Sequence, residues 1–193
     1  ITLKDGVTTV DKALEDMLTK NTTNSTMKSG VDAWYKHYML DYDDYIEDTI
    51  FCNDRSIRAL NGWNPDGGMT NAHLQFKEYN VTSDLSCTNT TDKFSVSNNN
   101  AKLTYKVGLM SSPEMNIMNN SNARKTGQHY WLASPYYFYS SIVLGRRVDR
   151  NGDMDDYFVY VTGGVRPTIS LIPGITYSTG DGSMANPYVI TTS

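Results

Sequence analysis

The chain has 193 residues, 39% of them hydrophobic and 20% charged, with a formal net charge of −4. That length suits one domain with a real core. Its 14 Tyr, 5 Phe and 3 Trp exclude a disordered chain, and the mildly acidic balance excludes a protein that wraps a nucleic-acid backbone.

The longest apolar runs, such as Val159 to Val161 and Ile169 to Ile172, are far too short to cross a bilayer, so no direct membrane insertion is expected. The chain opens at Ile1, as expected of a processed or truncated piece. Val10, Leu14, Met17 and Leu18 recur at helical spacing behind Thr9, a good cap, and predict a first helix. Met27, Val31, Trp34 and Tyr38 form an i, i+4, i+7, i+11 stripe behind Asn24-Ser25-Thr26 and predict a second. A stripe of this kind is core rather than binding surface. Asp41-Tyr42-Asp43-Asp44-Tyr45 reads as a solvated loop or helix end rather than a cation site.

Cys52 and Cys87 stand 35 residues apart, and two readings stay open. One is a disulfide in an exported protein, which for a loop of that size stabilises by about 3–4 kcal/mol. The other is a pair of buried thiols. Neither cysteine has metal-ligand spacing, and His37, His73 and His129 are scattered. Sequons at Asn21, Asn24, Asn80, Asn89 and Asn119 are either glycan acceptors in a secretory protein or accidents of an Asn- and Thr-rich composition. The runs NGWNPDGG at 61–68 and SNNN at 97–100 read as loops. Ser112-Pro113-Glu114, a cap, a first-turn proline and a helix-favouring acid, predicts one more short helix.

After Gly127 the runs HYWLAS, SIVLGRRVD, YFVYVT and VRPTISL are rich in β-branched and aromatic residues, as strands are. Turn signals at Ser134-Pro135, Asn151-Gly152 and Gly163-Gly164 separate them. Arg150-Asn151-Gly152-Asp153 is the best hairpin turn in the chain, because Asn-Gly accepts positive φ. The closing GDGSMANPYVI is a further turn leading into a short strand. Helices first and antiparallel strands later predict an α+β fold. A single domain over 1–193 is expected, with a helical start over 1–45 and a ligand-display region over 127–172.

No nucleophile elbow, P-loop, HExxH or dinucleotide fingerprint is present, and no catalytic residue, metal or cofactor is expected. The segment from Asp149 to Asp156 alternates oxygen-bearing residues as a calcium loop does. Its glycine, however, stands fourth instead of sixth, and the twelfth position is Tyr160 rather than a bidentate Glu. Residues 136–160 stand out instead. Tyr136, Tyr137, Phe138, Tyr139, Ser140 and Ser141 are followed by Arg146, Arg147, Asp149, Arg150, Asn151, Asp153, Asp155, Asp156, Tyr157 and Tyr160. This is a paratope-like composition, in which Tyr gives contact area at low entropy cost and Ser and Asn give adaptable hydrogen bonds. The competing reading is an ordinary exposed hairpin whose tyrosines pack on neighbouring strands.

Tyr130-Trp131-Leu132-Ala133-Ser134-Pro135, then Val148, Gly152 and Met154, then Gly164-Val165-Arg166-Pro167 and Ser170-Leu171 resemble a W-L-x-S-P, V-x-x-x-G-x-L, G-V-R-P-x-x-S-L signature. It is similar to that of bacterial and phage proteins with a C-type-lectin fold of the formylglycine-generating-enzyme-like type. The specific part lies in the C-terminal third, with Met154 in place of the usual leucine. Features shared with several gut-bacterial surface proteins are Cys52 to Ser56, Lys102-Leu103-Thr104-Tyr105, and Gly180-Asp181-Gly182 with Asn186-Pro187-Tyr188.

One subgroup of that fold is the variable proteins of diversity-generating retroelements, in which selected AAC codons are randomised at their adenines. The resulting NNC codons cannot encode Lys, Glu, Gln, Met or Trp, and residues 132–172 contain a single residue of those types, Met154. The resemblance implies a non-enzymatic receptor or adhesin domain at a cell surface or on a phage particle, binding a protein or glycan on another cell or phage host. The tyrosines, serines and aspartates of 136–160 would be its diversified contacts. Trp131, Val148, Gly152 and Arg166 would be the fixed frame. A formylglycine-generating enzyme needs paired cysteines near the C-terminal loops, and no Cys follows Cys87. A pilus or surface-layer subunit is the alternative. A calcium lectin is a weaker one, since Asn64-Pro65-Asp66 only faintly resembles a sugar-binding tripeptide and falls early in the chain.

Overall fold

The computed structural model describes residues 10–61, 73–80, 82–118, 120–139, 142–183 and 185–191. Two helices come first, α1 (Val10–Thr19) and α2 (Thr26–Tyr38). Ser25 caps α2 by accepting the Lys28 N–H at 3.1 Å. The buried side of α2 is Val31 and Tyr35, flanked by a half-buried Trp34. Tyr38, expected in the stripe, is 60% exposed because the helix stops there and turns away. Tyr35 instead stacks on Tyr105 at 5.2 Å and donates to the Asp43 carboxylate at 2.6 Å, where Lys106 also pairs at 2.9 Å. The acidic run is thus a 3-10 turn over Leu40–Tyr45, and Asp43 within it is anchored. The Tyr35 hydroxyl first and Lys106 next hold the Asp43 carboxyl below its usual range.

Short strands β1 (Ile46–Glu47) and β2 (Phe51–Cys52) lead to β3 (Ile57–Asn61) and β4 (His73–Phe76), and β5 (Lys93–Phe94) pairs with β2. The next helices are α3 (Ser112–Ile117) and α4 (Ser121–Arg124). Ser111, one residue before the expected cap, closes α3 with a capping box: its hydroxyl faces the Glu114 N–H, and Glu114 accepts the Ser111 N–H at 2.7 Å.

The remaining strands are β6 (Tyr130–Tyr139), β7 (Ile142–Val148), β8 (Met154–Phe158), β9 (Gly164–Val165), β10 (Ser170–Leu171), β11 (Thr176–Thr179) and β12 (Val189–Thr191). The main sheet runs β3-β4-β6-β7-β8 with every neighbour antiparallel, and β9 adds to β6 in parallel. The molecule is α+β. The sheet is not confined to the C-terminal part, however, since β3 and β4 complete one edge. Nor does Ser134-Pro135 interrupt β6, which runs on to Tyr139. Pro135 lacks an N–H, and the register with β7 shifts on both sides of the Pro135–Gly145 pair, so the ladder absorbs it as an irregularity. β8 stops at Phe158, so Val159 to Val161 is turn and bend and Thr162 is irregular rather than strand. The C-terminal turn joins β11 to β12 as expected.

Two apolar clusters carry the packing. One joins Val31, Tyr35, Ile46 and Val107; the other joins Met115 of α3 to Tyr130, Leu132 and Val148 of the sheet. Each such side chain, fully buried, contributes roughly 1.5–3 kcal/mol. Cys52 and Cys87 are joined in a disulfide, which removes the two-thiol reading. Beside it Arg55 is a hub: its Nε donates to the buried Asp92 carboxylate at 2.7 Å, and its Nη atoms donate to the carbonyls of Met17, Lys20 and Thr91. The end of α1 is thereby tied to the disulfide loop. Asn21 and Asn89, two of the sequon asparagines, use their side-chain amides in structural hydrogen bonds, which favours the compositional reading for both. Among the described residues no helix is long and apolar enough to cross a membrane.

Candidate functional site

The β7–β8 ladder runs without irregularity, so directly opposed residues share a face and successive pairs alternate. Arg146–Asp156 and Leu144–Phe158 therefore look one way, while Arg147–Asp155 and Gly145–Tyr157 look the other. The candidate contact residues do not form one surface. They divide between the two faces of the β6-β7-β8 part of the sheet and the β7–β8 turn.

On the first face the Tyr136 ring stacks on Tyr79 at 4.8 Å with the planes nearly parallel. Tyr137 lies 5.9 Å from Tyr79 and stacks on Tyr139 at 6.4 Å. The bulge between Pro135 and Tyr137 brings the consecutive Tyr136 and Tyr137 to the same ring. Arg146, 6% exposed, supports the group. Its guanidinium lies 4.2 Å over the Tyr136 ring and donates to the carbonyl of Glu78 at 3.2 and 3.0 Å and to that of Tyr79 at 2.9 Å. The Tyr136 hydroxyl donates to Asp156. Burial first, and then the Asp156 charge, push the Tyr136 hydroxyl above its ordinary range. Burial likewise raises the Asp156 carboxyl despite the facing Arg146. Burial raises Tyr137 too, with Tyr79 and Tyr139 adding to it.

On the opposite face Arg147 donates to Asp155 Oδ2 at 3.1 and 2.8 Å and covers the Tyr157 ring at 3.8 Å. Tyr157 also meets its first-face neighbour Phe158 edge-on at 5.5 Å, and Phe158 stacks at 5.2 Å on Tyr160, which is 78% exposed. Trp131, opposite Arg147, packs so close to Gly163 that a Cβ there would lie 2.7 Å from the indole Nε1. Phe138 sits between Leu74 and Val143 in the ladder, apart from the tyrosine stack.

The turn residues play a different part. Asp149 Oδ1 accepts the N–H groups of Asn151 and Asp153 at 2.8 and 3.0 Å, so its carboxylate shapes the turn. The Asp153 N–H is the main reason that the Asp149 carboxyl stays below its usual range. Arg150 Nε lies 3.3 Å from His129 Nε2, while Asn151 and Asp153 are exposed. Ser140, Ser141 and Asn64-Pro65-Asp66 lie outside the described residues. Among the described residues no group of three or more His, Cys, Asp or Glu is placed to hold a metal ion.

Tyr79, Arg58 and Gln75 belong to the first face and were missed from sequence. Gln75 pairs with Tyr137 in the ladder and accepts from Arg58 at 2.5 Å, and Arg58 lies 5.6 Å from the Tyr79 ring. Between 57 and 78 residues of chain and a strand pairing separate them from Tyr136, and a sequence pattern cannot carry that register. No protein-family model, no curated protein and no solved structure matches the chain.

Proposed function

We propose that the chain is a non-enzymatic binding domain of C-type-lectin-like architecture. It is displayed outside a bacterium or on a phage particle and recognises a protein or glycan. The observation that carries this reading is the row of stacked tyrosines, Tyr79, Tyr136, Tyr137 and Tyr139, supported from beneath by the buried Arg146. Rigid aromatic rings with their rotamers already fixed lose little entropy on binding, and Tyr and Arg are the side chains enriched at interface hot spots. Two further features support it. The disulfide suits an oxidising, exported setting. The signature positions Trp131 and Val148 are buried while the tyrosines between them keep exposed edges, as a fixed frame with a variable surface requires. Variation by a retroelement is part of the proposal.

Two measurements test it. Sequencing the coding DNA and its flanks is expected to show C-ending codons over 136–160 and a nearby near-copy that differs only at adenines. Ordinary codons and no near-copy overturn the diversification. The chain is also presented to an array of bacterial surface glycans and to intact bacterial cells. Retention on one of them is expected, falling at least tenfold in Tyr136→Ala with Tyr137→Ala and little changed in Tyr157→Ala. The reverse pattern moves the contact surface to the Arg147 face, and a chain retained by nothing removes the binding reading.

A further inference from the structure

Away from the tyrosine row, and independently of it, a cavity of about 370 Å³ opens between the disulfide, the 84–87 segment, the start of α3 and Ser134 of β6. Four carboxylates line it: Asp54, Glu78, Asp84 and Glu114. Three of them are satisfied. Asp54 accepts the Ser56 N–H and pairs with Lys77 at 3.2 Å, Asp84 pairs with Lys77 at 3.0 Å and accepts from Ser86, and Glu114 is held in the α3 capping box. Glu78 is different. It is 2% exposed, and its Oε2 is buried with no hydrogen-bond partner. A buried acceptor of this kind costs free energy until something donates to it.

The surroundings restrict what that donor can be. The four acids outnumber the three nearby cations, Lys77, Lys93 and Arg146, and Lys77 is already engaged by Asp54 and Asp84, so a cation is favoured over an anion. The carboxylates are not arranged as metal ligands among the described residues. The wall also carries Ile50 and Leu85, 54% and 58% exposed, which suit an aliphatic stem. We propose that this cavity binds a primary alkylammonium group, the end of a lysine side chain or of a free aliphatic amine, with Glu78 as its ion-pair partner. Burial is the main cause that pushes the Glu78 carboxyl up to about 7; Asp54 and Asp84 raise it further, while Lys77 and Arg146 oppose them. An arriving ammonium therefore meets a carboxyl that gives up its proton on pairing, and binding near neutral pH releases that proton.

The test is titration of the isotope-labelled full chain with n-butylammonium chloride, followed by NMR. Saturable shifts are expected at the amides of Glu78, Leu85, Ser86 and Ser111, together with a fall of at least one unit in the Glu78 carboxyl titration midpoint. Binding is expected to weaken at least tenfold in Glu78→Gln. In Leu85→Lys, a change at an exposed site that tethers an ammonium at the wall, the added amine is expected to lose its site and the Glu78 midpoint to fall without any ligand. Equal shifts with n-butanol, full binding by Glu78→Gln, or no saturable shift at these amides overturns the proposal. Tighter binding of Nα-acetyl-lysine methylamide than of n-butylammonium assigns the site to a lysine side chain; the reverse order assigns it to a free amine. If Glu78→Gln does not fold, the midpoint in Leu85→Lys decides alone.

Discussion

Arg146 links the tyrosine row to the body of the protein through two backbone carbonyls and one ring face. A planar guanidinium makes these contacts together, and an ammonium does not. Arg146→Lys is therefore expected to lower unfolding stability by about 2 kcal/mol in urea denaturation, because buried carbonyls lose their donor. The Tyr79–Tyr136 stacking is expected to loosen with it, read as a fall of the Tyr136 hydroxyl titration midpoint toward its ordinary value as burial is lost. Glu78 supplies the second prediction at this scale. Its folded pKa, about 7, lies above the ordinary 4.5. The contribution to stability is present in full below pH 4.5 and is lost as pH rises through 7. Denaturant midpoints are expected to fall between pH 5 and 8 in the wild type and to fall less in Glu78→Gln. The difference is on the order of 3 kcal/mol across the range. Little of this was legible in sequence: Arg146 stood in the right segment, but its role depends on the carbonyls of Glu78 and Tyr79, residues no pattern singled out.

Among elements, local signals survived where local physics decides the outcome. The α2 cap within Asn24-Ser25-Thr26, the start of α3 to within one residue, the Asn151-Gly152 turn and the final hairpin depend on neighbours within a few residues, and were visible. Two features depend on distant partners and were not: β3 and β4 at the sheet edge, and passage of β6 through Pro135. A proline reads as a break until a bulged partner strand is known to accommodate it. The β7–β8 turn gives the test at this level. Gly152 has φ +91°, and a Cβ there would lie 2.1 Å from the Ser121 carbonyl oxygen at the start of α4. Gly152→Ala is expected to destabilise by at least about 2 kcal/mol in thermal unfolding, from backbone strain and from displacement of α4 together.

For the whole molecule, the disulfide and the Arg55–Asp92 pair hold the same region from two sides, joining α1, the 87–92 segment and the start of β3. Reduction reopens a loop of 35 residues. The melting temperature is expected to fall by an amount equivalent to about 3 kcal/mol, measured by calorimetry with and without reductant. Asp92→Ala is expected to cost a similar amount, since it leaves a buried guanidinium without its anion. The α+β class was readable from the order of helical and strand periodicities. The division of the candidate contacts between two faces was not, because alternation along a strand assigns faces only after register is known.

That alternation has a consequence for how such a surface can change. Arg147, Asp155 and Tyr157 are interleaved one by one with Arg146, Asp156 and Phe158 along the same two strands; Arg146 covers Tyr136 and Arg147 covers Tyr157, while the two sets meet where Tyr157 touches Phe158 and where Asp155 accepts the Asp156 N–H. Substitutions should combine additively between members of the two sets that share no contact, and couple where the sets touch, as at Tyr157 and Phe158. The hairpin then behaves as two alphabets written on the two sides of one page, and either text can be rewritten while the other stays readable, save at the letters where the ink comes through.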